Sequence, residues 1–248
     1  MIPEFSVSSL HCREGEPEIG GLCKSLLKQR LNYSIVVAVI RVLIADDHAV
    51  VRKGLRHILS SPGDIQVGDE AADGSEVISL ISRNIYDLVL LDISLPGRNG
   101  IDILKQIKVY NPKLPVLMLS MHTEKDYAVR CYKAGAAGYL TKDSPVEEIL
   151  FAIRKVAGGG RYLNPSLADK LPFAWEPQPA ESIHRLLSDR EFQVMCMLAC
   201  GKTTTEIADE LSLSLQTVST YKARILEKMK MPSLAHVIRY AIENKLVP

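Results

Sequence analysis

Three carboxylates constrain this chain more than any other feature. Asp46 and Asp47 close the apolar run RVLIADD (Arg41 to Asp47), and Asp92 closes YDLVLLD (Tyr86 to Asp92). Each run is short and rich in Val, Leu and Ile, the pattern of a strand buried on both faces of a parallel sheet. Strands of such a sheet all end at one edge, and ligands bind in the crevice there. Three acids at that edge repel one another unless a cation sits among them. Oxygen-only ligands select a hard divalent ion, so Mg²⁺ is the expected cofactor. A metal beside an aspartate points to phosphoryl transfer, with Asp92 as acceptor and Asp46 and Asp47 as metal ligands with it.

From Arg41 onward, apolar runs alternate with amphipathic segments. Strands are expected at Val42 to Ala45, Ile65 to Glu70, Leu88 to Leu91, Val116 to Ser120 and Ala137 to Leu140. Helical patterns lie between them near Ala49 to Leu59, Ser75 to Arg83, Gly100 to Tyr110 and Glu124 to Ala134, and a last one runs from Pro145 to Val156. Pro145 suits a helix's first turn. Five successive βα units give a doubly wound α/β fold with a five-stranded parallel sheet and right-handed crossovers. Gly158-Gly159-Gly160 and the prolines at 165, 172, 177 and 179 then mark a linker, with one short helix around Ser166 to Leu171. From Ser188 the pattern is purely helical: Ser188 to Ala199, Thr203 to Leu211, Leu215 to Met229 and Ser233 to Asn244. The expected division is an extension over residues 1–39 with no assigned function, an α/β domain over 40–157, a linker over 158–183 and an all-α domain over 184–248.

A net charge of +1 over 248 residues carries no whole-chain signal for a nucleic-acid partner, so any such partner must show as a local patch. Five scattered cysteines with no CxxC pair argue against disulfide and zinc frameworks and fit a reducing cytoplasm. The apolar stretch from Ile35 to Ala45 is too short to cross a bilayer, so no membrane association is expected.

Two further residues belong with the acids. Ser120 ends the fourth apolar run, and Lys142 follows the fifth. Asp92 would attack phosphorus in line, Lys142 would pair with the acyl phosphate as a point charge, and the Ser120 hydroxyl would bond a phosphate oxygen. Singly, a strand-end Asp is often a helix N-cap and a lone Lys is usually solvated. Asp-Asp, Asp, Ser and Lys at the ends of strands in one sheet are far more specific.

LIADDH, LVLLDISLPGRNG, VLMLS and AGAAGYLTKD together resemble the receiver domain of bacterial two-component response regulators. The resemblance implies a CheY-like, flavodoxin-like fold with Asp92 as phosphoacceptor, Asp46 and Asp47 as the acidic pair and Ser120 as the switch hydroxyl. It makes Lys142 the conserved-type lysine. It also implies that Tyr139 is an aromatic that turns inward on activation, that the Ser94 backbone carbonyl completes the metal shell, and that Ser94 and His122 tune dephosphorylation. Asp143 after Lys142 departs from the proline of many receivers.

TTTEIADELSLSLQTVSTYKARILEKM reads as helix, tight turn, helix. Ala208 is small enough for close crossing, Leu213 is placed to plug the turn, and Ser214 is a good N-cap. At ~100° per residue, Val218, Ile225 and Met229 share one stripe, and the opposite face carries Gln216, Thr220, Ala223, Arg224 and Glu227, with Thr217 and Ser219 at its edges. Small, polar and basic side chains opposite a core stripe suit a major-groove helix. Lys222, Arg224, Lys228 and Lys230 face one acid, Glu227. Lys222, near the core stripe, is expected to reach a phosphate rather than a base. A solvated amphipathic surface is the plainer alternative for this helix.

From Ser188 to about Val247 the chain resembles the four-helix LuxR-type helix-turn-helix (HTH) domain of NarL/FixJ response regulators. This implies that Leu215 to Met229 is the recognition helix, that DNA contacts come from Thr204, Ser214, Gln216, Thr217, Ser219, Thr220, Lys222, Arg224 and Lys228, and that Ser233 to Asn244 is a dimerisation surface. Ser219 and Tyr221 stand where many members have Lys and His. The expected protein is a phosphorylation-dependent transcription regulator, not an enzyme beyond its own phosphoryl chemistry. A histidine kinase supplies the phosphoryl group, the unmodified receiver masks the recognition helix, and phosphorylation favours a homodimer on double-stranded DNA. The alternative is a receiver-type signalling protein whose helical tail binds protein.

Overall fold

The computed structural model describes residues 39–121, 125–163 and 182–247. His122, residues 1–38 of the expected 1–39 extension and the short helix expected at Ser166 to Leu171 lie outside the described residues. Strands β1 (Ile40–Ala45), β2 (Ile65–Ala71), β3 (Leu88–Asp92), β4 (Val116–Ser120) and β5 (Gly138–Thr141) form one wholly parallel sheet in the order β2-β1-β3-β4-β5. That order is the doubly wound flavodoxin-like one, with its switch point between β1 and β3.

Alternate side chains of the strands serve the two faces. Leu43, Val89, Leu91, Val116 and Met118 pack with Val77 of α2 (Gly74–Arg83), Ile103 of α3 (Gly100–Tyr110) and Tyr127 of α4 (Lys125–Lys133). Val42, Ile44, Leu88, Leu90 and Leu117 pack with Leu55 and Leu59 of α1 (Ala49–Ser60) and with Ile149 and Ile153 of α5 (Val146–Ala157). Every residue of β3 and β4 is buried, which explains runs that are apolar without alternation. Burying each Leu or Ile contributes roughly 1.5–3 kcal/mol of transfer free energy. Pro145 stands one position before its expected place, as the N-cap of α5 rather than a residue of its first turn.

The helical region opens with a 3₁₀ turn, Ile183–Leu186, that the sequence pattern did not announce. It continues through α6 (Asp189–Ala199), α7 (Thr204–Glu210), α8 (Leu215–Lys228) and α9 (Leu234–Glu243). Ser188 with Glu191, and Thr203 with Glu206, close capping boxes at the starts of α6 and α7. Leu211, at the end of α7, is fully buried in the turn before α8, whereas Leu213, the expected plug, is only partly buried. The α2–α4 side of the sheet and the helical region share one continuous apolar cluster, in which Tyr127 meets Phe192 edge to face at 4.9 Å between ring centroids.

Candidate functional site

Because the strands are parallel, their C-terminal ends bring the acidic residues together. Asp46 and Asp47 follow β1, Asp92 and Ser120 end β3 and β4, and Lys142 follows β5. Asp46, Asp92 and Ser120 are buried, while the Asp47 carboxylate is 25% exposed at the mouth. The Lys142 ammonium lies 2.6 Å from Asp46 Oδ2 and 2.7 Å from Asp92 Oδ2. Its backbone N–H donates to the Ser120 carbonyl at 2.7 Å, which ties the lysine to the end of β4. Asp46 Oδ1 accepts the His48 backbone N–H at 2.8 Å. Tyr139 is wholly buried in β5, and Ser94 is half-buried beyond Asp92.

Burial pushes the Asp92 carboxyl above the usual carboxylate range, and neighbouring Asp46 pushes the same way; Lys142 and the Ser94 amide oppose this without cancelling it. Burial of Lys142 works against its charge, but Asp92 and Asp46 outweigh that and hold its pKa above the usual value. One lysine thus meets two buried acids, with Asp47 beside them. Asp92 Oδ1 is buried and accepts no hydrogen bond. A buried carboxylate oxygen without a partner is costly unless a cation or ligand meets it. This oxygen and the all-oxygen acidic set fit a hard divalent ion held by Asp46, Asp47 and Asp92. His48, missed in the sequence, joins them: its Nδ1 lies 2.6 Å from Asp47 Oδ1.

The loop after Asp92 is tightly constrained. The Gly100 N–H donates to the Ile93 carbonyl at 2.8 Å, and a Cβ on Gly100 would lie 2.2 Å from the Asp92 carbonyl oxygen. Only glycine permits that approach. Asn99 then caps α3, its Oδ1 accepting the Ile101 N–H at 2.8 Å.

In the helical region, α8 carries the expected stripe: Val218 and Ile225 are buried, and Met229 just beyond the helix is buried with them. Gln216, Ser219, Thr220, Ala223 and Arg224 are exposed, and Ser214 caps the helix by accepting the Thr217 N–H at 3.1 Å. Thr204, Thr217 and Lys222 are partly buried, and the Thr220 hydroxyl donates to the Gln216 carbonyl at 2.9 Å. Lys228 is engaged within the fold: its ammonium lies 2.6 Å from Glu191 of the α6 capping box.

The expectation that the receiver covers this face is corrected. The sheet domain instead meets α6, the 3₁₀ turn and the α7–α8 turn. Gly97 N–H donates to the Leu211 carbonyl at 3.1 Å, and Asn99 Nδ2 donates to Gln193 Oε1 at 3.1 Å. Asp189 pairs with Lys105 at 2.7 Å and Arg130 at 2.9 Å, and Arg130 also donates to the carbonyls of Leu187 and His184. These partners are far apart in sequence, and no motif marks them.

Known proteins match this geometry. Residues 42–154 match the response regulator receiver domain, and residues 185–241 match the luxR family of bacterial regulatory proteins. The response regulator UvrY of Escherichia coli K12 is 36% identical over 208 residues, covering 84% of this chain and 95% of UvrY. The response regulator GacA of Pseudomonas aeruginosa is 34% identical over 209 residues, covering 84% of this chain and 98% of GacA. A LuxR-family two-component response regulator from Aurantimonas sp. has a solved structure that is 32% identical, with a TM-score of 0.53 over 55% of this chain and 97% of its own. The structure of an RcsB–DNA complex is 25% identical, with a TM-score of 0.52 over 82% of this chain and 97% of RcsB.

Proposed function

This chain belongs to the two-component response regulators that join a receiver to a LuxR-type helix-turn-helix, and from that premise we propose that phosphorylation of Asp92 controls its binding to DNA. The observation that carries this is Asp92 Oδ1, a buried carboxylate oxygen with no hydrogen bond, set beside two further acids and a lysine. The phosphodonor is a histidine kinase. The Asp92 carboxylate attacks phosphorus, an O–P bond forms, and the P–N bond of the phosphohistidine breaks. Mg²⁺, when bound by Asp46, Asp47, Asp92 and the Ser94 carbonyl, supplies charge neutralisation at the phosphoryl oxygens. Lys142 moves its attraction from the bare carboxylate to the acyl phosphate, and the Ser120 hydroxyl donates to a phosphate oxygen. Ser94 and His122 set access of water to the acyl phosphate. Tyr139, on β5, is the aromatic that responds to activation.

Residues 40–157 form the receiver and 184–248 the DNA-binding domain, with 158–183 as linker between them. In this arrangement the recognition face of α8 is already open, so the signal acts elsewhere than by uncovering it. The loop Ile93 to Asn99 connects Asp92 directly to Leu211 and Gln193. A phosphoryl group on Asp92 therefore strains the contacts that hold α6 and the α7–α8 turn, and their release frees α9 to pair with a second copy on DNA. Gln216, Ser219, Thr220 and Arg224 face the groove, with Thr204, Ser214, Thr217 and Lys222 toward the backbone.

Incubation with acetyl phosphate and Mg²⁺ tests the reading. Label is expected on the wild-type chain, is lost on Asp92→Asn and on removal of Mg²⁺ by chelation, and accompanies tighter binding to DNA. Label that persists on Asp92→Asn would place the acceptor elsewhere. A gel shift on random DNA at low salt separates a DNA-binding tail from a protein-binding one.

A further inference from the structure

His48 brings a nitrogen to an acidic site otherwise made of oxygen. One ligand atom from each of Asp46, Asp47, His48 and Asp92 falls within 4.8 Å of all the others. His48 stands at the N-cap of α1, and its backbone N–H is fixed by Asp46 Oδ1. Its ring lies back over the acids: Nδ1 is 2.6 Å from Asp47 Oδ1 and 3.5 Å from Asp46 Oδ1. Lys142 occupies Asp46 Oδ2 and Asp92 Oδ2. That leaves Asp92 Oδ1, buried and without a hydrogen bond, on a residue only 1% exposed.

The donor set decides which ions such a site prefers. Mg²⁺ takes oxygen and gains little from imidazole. Late first-row ions, Zn²⁺ among them, take imidazole readily, and affinity for N/O sites rises along the series to a maximum at Cu²⁺, with Zn²⁺ below it. A four-coordinate Zn²⁺ shell at about 2.0–2.2 Å uses three carboxylates and one imidazole without water. Such a shell leaves no open position for a phosphoryl oxygen.

We propose that His48 Nδ1 is a fourth side-chain ligand that makes this receiver site a Zn²⁺ site as well as a Mg²⁺ site, so that Zn²⁺ excludes Mg²⁺ and blocks phosphorylation of Asp92. This rests on Asp46, Asp47 and Asp92 forming the cation site proposed above. Selectivity is its signature: removing His48 weakens Zn²⁺ and leaves Mg²⁺ alone. The His48 side chain makes no cap hydrogen bond to α1, so its loss leaves that helix start intact.

Calorimetric titration of the full chain with ZnCl₂ and, separately, MgCl₂ tests this on wild type, His48→Ala and Asp92→Asn, with thermal melting of the metal-free proteins as the check on folding. One Zn²⁺ is expected on the wild type that is lost in Asp92→Asn and weakened at least about 10-fold in His48→Ala, with Mg²⁺ affinity equal in wild type and His48→Ala. Equal Zn²⁺ affinity with and without His48, or no Asp92-dependent Zn²⁺ on the wild type, overturns the inference while normal Mg²⁺ binding leaves the phosphoacceptor reading standing. Loss of Asp92-dependent binding for both ions overturns both.

Discussion

Asn99 serves both the receiver and the helical region. Its Oδ1 accepts the Ile101 N–H at 2.8 Å and starts α3, while its Nδ2 donates to Gln193 Oε1 of α6 at 3.1 Å. Gln193 Oε1 also accepts from Arg190 at 2.7 Å, and Arg190 reaches the Leu211 carbonyl at 3.2 Å. A buried polar chain therefore runs from the loop that carries Asp92 to the turn of the helix-turn-helix.

Asn99→Asp separates the two roles. Aspartate caps a helix as well as asparagine, so α3 persists. It cannot donate to Gln193, and its carboxylate faces an acceptor there. The expected outcome is an unchanged receiver with a loosened junction, read as faster amide hydrogen exchange at the start of α6 and in the α7–α8 turn, but not in α3. Equal exchange in both proteins would mean that this hydrogen bond does not hold the domains.

Asp92 gives a pH dependence with a definite sign. Burial, with Asp46, raises its folded-state pKa above the unfolded value. As pH rises, the unfolded chain gives up this proton first, so stability falls from about pH 4 up through the raised folded-state pKa. Asp92→Asn removes that penalty. In metal-free buffer it is expected to raise Tm at pH 7 by about 2–4 °C for each kcal/mol relieved, with the gain vanishing below about pH 4. Mg²⁺ at 100 times its Kd is expected to stabilise the wild type by about 2.7 kcal/mol and the variant by less. A variant less stable than wild type at pH 7 would show that the Lys142 contacts outweigh the burial.

Gly100→Ala probes the loop without touching a charged group. The new Cβ meets the Asp92 carbonyl oxygen at 2.2 Å and the Ile93 Cα at 2.8 Å, both backbone atoms that cannot swing aside. The expected cost is about 1–3 kcal/mol or more in denaturant unfolding, with slower labelling of Asp92 by acetyl phosphate. Full stability would show that the β3–α3 loop tolerates a shift.

Arg224 and Lys228 lie near one another in sequence but have different tasks. Arg224 is exposed on the open face of α8, whereas Lys228 pairs with buried Glu191, whose carboxyl it helps hold below its usual pKa against burial. Arg224→Ala is expected to weaken DNA binding and to reduce the slope of log affinity against log salt by about 1. Lys228→Ala is expected to leave that slope unchanged and to lower stability by about 1 kcal/mol. A reduced slope for Lys228→Ala would return it to the DNA contacts.

Most strand and helix limits were legible because they follow from short-range pattern. The buried strands β3 and β4, and the helix from Gly100 to Tyr110, carry their own signatures. Pro145 shifted by one position because proline's fixed φ suits the N-cap as well as the first turn. Leu211 is fully buried at the turn and Leu213 packs partly buried against the same core, with Ser212 at φ +51° between them. The pairing of Lys228 with Glu191 was not legible because a helical wheel shows which residues share a face but not that Glu191 waits beside it.

The gathering of Asp46, Asp47, Asp92, Ser120 and Lys142 was set by the sequence itself. Each ends or follows a strand, and parallel strands deliver their ends to one edge whatever the rest of the chain does. Only the tertiary structure decided that His48 turns back onto the acids, that Asn99 reaches Gln193, that Asp189 is clasped by Lys105 and Arg130, and that Gln216, Thr220 and Arg224 of α8 stay exposed. Those contacts depend on ring orientation and on how one packed body rests on another. Neither leaves a periodic trace in the residues that make it.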